Sequence, residues 1–225
     1  MNPLQESIEA LYAAFADVPK PRHIDGCPCC IENKQICTLL STPLRRLSGE
    51  QLSSYAFSAF LTVGDVADYL YFLPRILEIS VTNDGWWPEI EVTGRAIANT
   101  VPLTWSPRRL VALQAVLERK ISSLLCEQDS GYAIDSWLCG IAHMGLDVRP
   151  YLAQLEQSPA HVAAYYLENG RRLPEKLDNA FWERPNAAHD AIVHWFGTKK
   201  VGDIIFDAYG VVLYHSIEPA GDAAE

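Results

Sequence analysis

Apolar residues recur along this chain at spacings of three and four, the period that lays one stripe along a helix. Ile8, Leu11 and Phe15 mark a first helix. Ser48 followed by Gln51 has the form of a capping box, and Leu52, Tyr55, Ala56, Ala59 and Phe60 carry the stripe onward. Asp65 is placed to cap the next helix, which bears Tyr69, Leu70, Leu73, Ile76 and Leu77; Pro74 inside it predicts a kink or a break. Ser106-Pro107 opens the longest clean stripe, Leu110, Leu113, Leu117, Ile121 and Leu124. Residues 136–144 form a shorter apolar stretch closed by Gly145. Ser158-Pro159 opens another helix with Val162, Tyr165, Tyr166 and Leu167, ended by Gly170, and residues 188–196 form one stopped by Gly197. Residues 201–215 read two ways: Val201, Ile204, Ile205 and Ala208 fit a helix, while 211–214 after Gly210 fit a short strand equally well.

The pattern predicts an all-α fold, a single multi-helix domain over 1–217 with room for a short strand pair near the C-terminus. A disordered acidic tail, 218–225, is expected after it. The loops 82–88 and 169–185 are candidate joints, but neither has the composition of a flexible linker.

Composition agrees with a folded domain: of 225 residues, 49% are apolar and 20% charged. The formal net charge of −10 repels a nucleic-acid backbone and speeds encounter with a basic partner. The first residues lack the basic start and apolar stretch of a signal peptide, and no run is long enough to span a bilayer. A cytoplasmic setting with reduced thiols is therefore expected, where clustered cysteines read as metal-binding or redox groups.

Four of the six cysteines fall within residues 23–37. Cys27 and Cys30 form a CxxC pair; His23 stands before it, Cys37 after it, and Cys29 inside it. Zinc needs four soft or borderline donors, and CxxC supplies two from one tight turn, which Gly26 and Pro28 suit. The expected cofactor is a structural zinc on Cys27 and Cys30, completed by His23 and Cys37 or by Cys29. A distant ligand from His143, His161, His189, His194 or His215 is equally compatible. Two other readings stand beside it: small apolar packing of the loop, and thiol redox chemistry, which calls for a lowered thiol pKa at a helix start. Cys126 and Cys139 lie in apolar helical runs and are expected in the core.

The 83–88 turn carries adjacent tryptophans, Trp86 and Trp87. An exposed aromatic there suits a partner anchor, with Glu89 and Glu91 beside it; the alternative is that both indoles cover the core. Asp190 and His194 share a helix face, as half of many catalytic and metal sites do, or as an ordinary helix pair. No nucleophile-elbow, P-loop, dinucleotide-binding or HExxH signature is present.

Leu11-Tyr-Ala-Ala-Phe-Ala-Asp-Val-Pro-Lys-Pro, Ile24-Asp-Gly-Cys-Pro-Cys-Cys, Gly64-Asp-Val and Phe72-Leu-Pro-Arg-Ile-Leu-Glu together resemble a group of bacterial cytoplasmic proteins without an established activity. The resemblance covers the first third of the chain, matches best at Cys27 and Cys30, and implies a bacterial protein. A histidine often precedes the Phe-Leu-Pro-Arg segment in that group; here Tyr71 stands in its place.

Three functional expectations follow. The first is a non-catalytic protein-binding protein of the immunity type, which neutralises a basic bacterial toxin enzyme by direct contact through Trp86, Trp87, Glu89 and Glu91. The second is a zinc-dependent or thiol enzyme centred on the CxxC. The third is a helical scaffold subunit.

Overall fold

Helical spacing in the sequence becomes helix almost throughout. Eleven α-helices and two short 3-10 turns are found among the described residues, with no strand. The computed structural model describes residues 2–128, 130–183 and 186–210. The strand alternative at 211–214, the tail at 218–225 and His215 lie outside them. No described helix is long and apolar enough to cross a membrane.

By its packing the chain divides into two compact units. The first takes Met1–Ser123 and Ser136–Leu146, the second Leu124–Asp135 and Asp147–Glu225. The first unit holds α1 (Pro3–Ala14), α2 (Asn33–Ser41), α3 (Gly49–Ser58), α4 (Val66–Thr82), α5 (Ile90–Ala98), nearly all of α6 (Pro107–Leu124) and the later part of α7 (Gly131–His143). The second holds the start of α7, then α8 (Arg149–Leu155), α9 (Pro159–Asn169), α10 (Ala187–Phe196) and α11 (Lys199–Tyr209).

In the first unit the caps work as the sequence indicates. The Gln51 N–H donates to Ser48 Oγ at 3.2 Å, and the Ser48 N–H donates to Gln51 Oε1 at 2.9 Å. Asp65 Oδ1 accepts from the Asp68 N–H at 3.0 Å. Each such cap contributes about 1 kcal/mol. The break expected at Pro74 does not occur: α4 runs through it. The missing N–H leaves the Leu70 carbonyl without its helical donor, a defect costing about 3 kcal/mol in an exposed helix. Here Pro74 is itself buried, and Phe72, Leu73, Ile76 and Leu77 are wholly buried, so packing on both sides holds the helix together. Helix α3 packs on α2, α4 and α5. Its Tyr55 ring lies 4.9 Å from Phe72 and 6.5 Å from Tyr69. Helices α5 and α7 meet at two glycines: a Cβ on Gly94 would sit 2.3 Å from the Gly140 carbonyl oxygen, so only glycine allows that approach.

In the second unit the carboxylate of Asp135 is fully buried. It accepts from the Tyr165 hydroxyl at 2.7 Å and from the Trp182 indole at 3.1 Å. Glu156, at the end of α8, accepts from the Trp195 indole at 2.8 Å and from Lys200 at 2.6 Å, tying α8 to α10 and α11. The 201–209 ambiguity resolves as helix, with the buried Val201 and Ile205 one turn apart on α11. Cys139 is buried as expected, but Cys126 is exposed: α6 ends at Leu124, so the stripe that would have turned Cys126 inward has stopped.

Candidate metal centre

Residues 24–31 form a clamped turn in the first unit. Its backbone is held by the end of α3 and the loop after it. The Cys27 N–H donates to the Thr62 carbonyl at 2.9 Å, and the Gly64 N–H donates to the Asp25 carbonyl at 2.7 Å. Ile24 and Ile31 are 1% and 2% exposed and pin the two ends of the turn into the core. Gly26 is required between them, since a Cβ there would approach Ile31 Cγ2 to 2.7 Å. The receiving loop is strained: Phe60 has φ +63°, unusual for a bulky side chain. It is held by its N–H bond to the Val63 carbonyl at 3.1 Å and by packing on Tyr69 at 5.1 Å. Such strain costs about 1–3 kcal/mol and collects near functional loops.

The chain then coils once before α2. The N–H groups of Cys30 and Ile31 both donate to the Cys27 carbonyl, at 2.9 and 3.1 Å. The Glu32 N–H donates to Gln35 Oε1 at 2.8 Å, completing a capping box that starts α2. This coil directs three sulfurs to one point. Cys27 and Cys29 Sγ are 2.8 Å apart, Cys29 and Cys30 Sγ 3.7 Å, and all three lie within 4.8 Å of one another. A tetrahedral ion with zinc–sulfur bonds of about 2.3 Å would hold its sulfurs about 3.8 Å apart. The set therefore closes on such an ion with small rotations of the exposed Cys29 and the half-buried Cys27 and Cys30 side chains.

The thiols are unequal. Cys27 is held below the usual thiol range by the hydrogen bond from the Cys29 thiol, then by backbone N–H groups of the coil. Cys29, the donor of that bond, is pushed up to about 11, with Cys30 and the negative charge on Cys27 adding to the effect. The hydrogen bond therefore favours proton loss at Cys27 before Cys29. A bound cation reverses this by stabilising all three thiolates, so metal uptake releases protons.

Of the expected metal ligands, the structure brings together Cys27, Cys30 and Cys29, the last being the alternative to His23 with Cys37. It does not bring in His23 or Cys37. His23 Nε2 lies 2.9 Å from Asp25 Oδ1, with both side chains largely in solvent. Cys37 is exposed on α2, outside the sulfur group. The sequence left Cys29 as one of two ways to complete the CxxC pair; the coil in the backbone places it there.

The tryptophan turn divides its residues. Trp86 is half-buried, and its indole donates to the Gly49 carbonyl at 2.9 Å. Trp87 is 44% exposed and stacks on Phe57, itself 40% exposed, at 4.3 Å. Glu89 is exposed; Glu91 is 2% exposed and is not part of the outer surface. In the second unit the expected Asp190–His194 pair is replaced by another. Asp190 Oδ1 lies 3.3 Å from Nδ1 of the buried His189, while His194 is exposed.

One concavity had no sequence signal. A groove of about 560 Å³ in the first unit is lined by Tyr12, Phe15, Arg45, Tyr71 and Pro74, among others. Three of its polar side chains are already engaged: Tyr12 donates to Glu78 at 2.5 Å, and Arg45 makes two 2.7 Å bonds to Glu9 while lying 3.7 Å over the Tyr12 ring.

Comparison of the chain with protein-family models, with curated proteins and with solved structures returned no match. The site geometry alone carries the functional reading. It defines an all-α protein with a thiol-rich turn that can hold a metal ion.

Proposed function

We propose that this is a thiolate-metal protein in which Cys27, Cys29 and Cys30 hold one zinc ion. The observation that carries the reading is the convergence of three sulfurs within 4.8 Å on a turn whose backbone is fixed independently of them. Soft thiolates select zinc over the hard divalent cations. The ion would lock the coil that leads into α2, and with it the end of α3. The test is metal content after reconstitution of the reduced chain. One equivalent of zinc, lost when the three cysteines become serine, supports the reading; no uptake by the reduced chain contradicts it.

A second reading concerns partners and is favoured by the Trp87–Phe57 stack. Two large aromatics resting on each other at the surface of a protein of net charge −10 suit a basic protein partner. We infer an immunity-type inhibitor of a basic toxin enzyme as its concrete form, with Trp87 and Glu89 as the contact residues. Alanine at both Trp87 and Phe57 would then weaken a captured basic partner by tenfold or more, while unchanged affinity would remove this surface from the account.

A further inference from the structure

Zinc takes four donors in a closed site, and three protein donors leave one position for another group. Among the described residues no fourth His, Cys, Asp or Glu atom joins Cys27, Cys29 and Cys30. His23 is engaged with Asp25, and Cys37 stands outside the group on α2. The inner side of the turn is occupied by buried Ile24 and Ile31, while Pro28 and Cys29 are exposed on the outer side. An incoming ligand therefore has access from solvent.

We propose that the fourth position is taken by a thiolate from outside the chain. This rests on the metal reading of the same turn. Three thiolates on a dication give a net charge of −1. Four thiolates are nonetheless a common closed set for zinc, so a fourth sulfur is tolerated. Water is the weaker competitor, because three thiolates already quench the ion's charge and acidify a bound water little, whereas sulfur donors suit this ion. In the exchange a metal–oxygen bond breaks and water leaves. A metal–sulfur bond forms, the thiol proton passes to solvent, and no electron is transferred. The thiolate can belong to a small thiol or to a cysteine of another protein.

The experiment uses the full chain loaded with Co(II), kept reduced by a phosphine, and follows the sulfur-to-cobalt charge-transfer band. Reduced glutathione is one arm, a short peptide with one cysteine between apolar residues a second, and S-methylglutathione the control. The band should grow by about one third, as three thiolates become four, with either thiol but not with the control. At least tenfold tighter binding of the peptide assigns the thiolate to a protein partner; equal or tighter binding of glutathione assigns it to a small thiol. The variants Cys37→Ser, His23→Ala and His215→Ala should respond as the parent does. A band indifferent to every thiol, or a tenfold loss of cobalt affinity in any of those three variants, overturns the proposal by showing a closed site. A chain that takes up no cobalt overturns the metal reading itself, and this inference with it.

Discussion

Two turns of the first unit rest on the same helix and use it in opposite ways. The cysteine turn is fastened to the loop that follows the far end of α3 through backbone bonds, Cys27 N–H to Thr62 and Gly64 N–H to Asp25. The tryptophan turn is fastened near its start through side chains. The Trp86 indole donates to the Gly49 carbonyl, and the Ser53 hydroxyl reaches the Trp87 carbonyl at 2.7 Å. A turn held by its backbone keeps its side chains available, and three thiols are displayed. A turn held by its side chains uses them up, and only Trp87 remains for an outside partner. Chemistry is accordingly concentrated in the first turn, and stability rests more on the second.

The sharpest break in that comparison is removal of the sulfurs. Replacing Cys27, Cys29 and Cys30 with serine should abolish zinc binding. Cys29→Ser alone should weaken it at least about 100-fold, more than the loss of a supporting group around a metal ligand usually costs. Competition against a chromophoric chelator reads both. The metal-free triple variant should unfold within about 0.5 kcal/mol of the metal-free parent, because these sulfurs lie at the surface.

The tryptophan turn should behave the other way. Trp86→Ala loses a half-buried indole and its bond to Gly49, and should cost about 2–3 kcal/mol by urea unfolding, below the ~3–5 kcal/mol of a fully buried aromatic. Trp87→Ala should cost about 1 kcal/mol or less. Equal costs would show that both indoles anchor the turn.

Gly26→Ala probes the clamp itself. Its Cβ would meet Ile31 at 2.7 Å, and forcing the two apart should cost about 1–3 kcal/mol and weaken zinc binding together. Full stability in that variant would mean that Ile31 moves aside without effort.

The thiol asymmetry predicts a pH-dependent order of alkylation in the metal-free chain. Cys27, with its pKa depressed, becomes the thiolate as pH rises through a value below the ordinary thiol range, and should react with iodoacetamide first. Cys29 should stay protonated and slow until pH approaches 11. The linkage signs are opposite. The Cys27 contribution to stability is present above its unfolded pKa and fades as pH falls through its lower folded value. The Cys29 contribution is present below its unfolded pKa and fades as pH rises through about 11. Peptide mapping by mass spectrometry after short pulses reads the order, and simultaneous modification would contradict it. The smallest effect belongs to His23→Ala, which should leave zinc affinity unchanged within about twofold if the imidazole serves only Asp25.

Most of the architecture was legible because helices announce themselves by period and cap. Ser48 with Gln51, Asp65, Ser106-Pro107 and Gly170 each mark a boundary that the structure keeps within a residue or so. Helix α2 escaped notice because Glu32 caps it in place of serine or threonine, and because Leu39 is its one buried residue, leaving no stripe to read. At Pro74, read as a kink or a break, the break is absent because burial on both sides holds the helix continuous. The site was legible in kind but not in membership. The CxxC spacing pointed to Cys27 and Cys30 and left the completing donors open between His23 with Cys37 and Cys29; a backbone coil held by contacts with residues 62–64, more than thirty positions away, selects Cys29. Glu91 sits beside exposed neighbours in sequence yet is buried, since the face that a residue presents depends on packing that adjacent letters do not encode.

The central claim is that three thiolates of one turn hold a zinc ion. X-ray absorption at the zinc edge, on the reconstituted chain free of added thiol, tests it most directly. One zinc per chain with three sulfurs at about 2.3 Å and one lighter donor is the expected result. Zinc surrounded only by nitrogen and oxygen, or a reduced chain that retains no zinc, would contradict it.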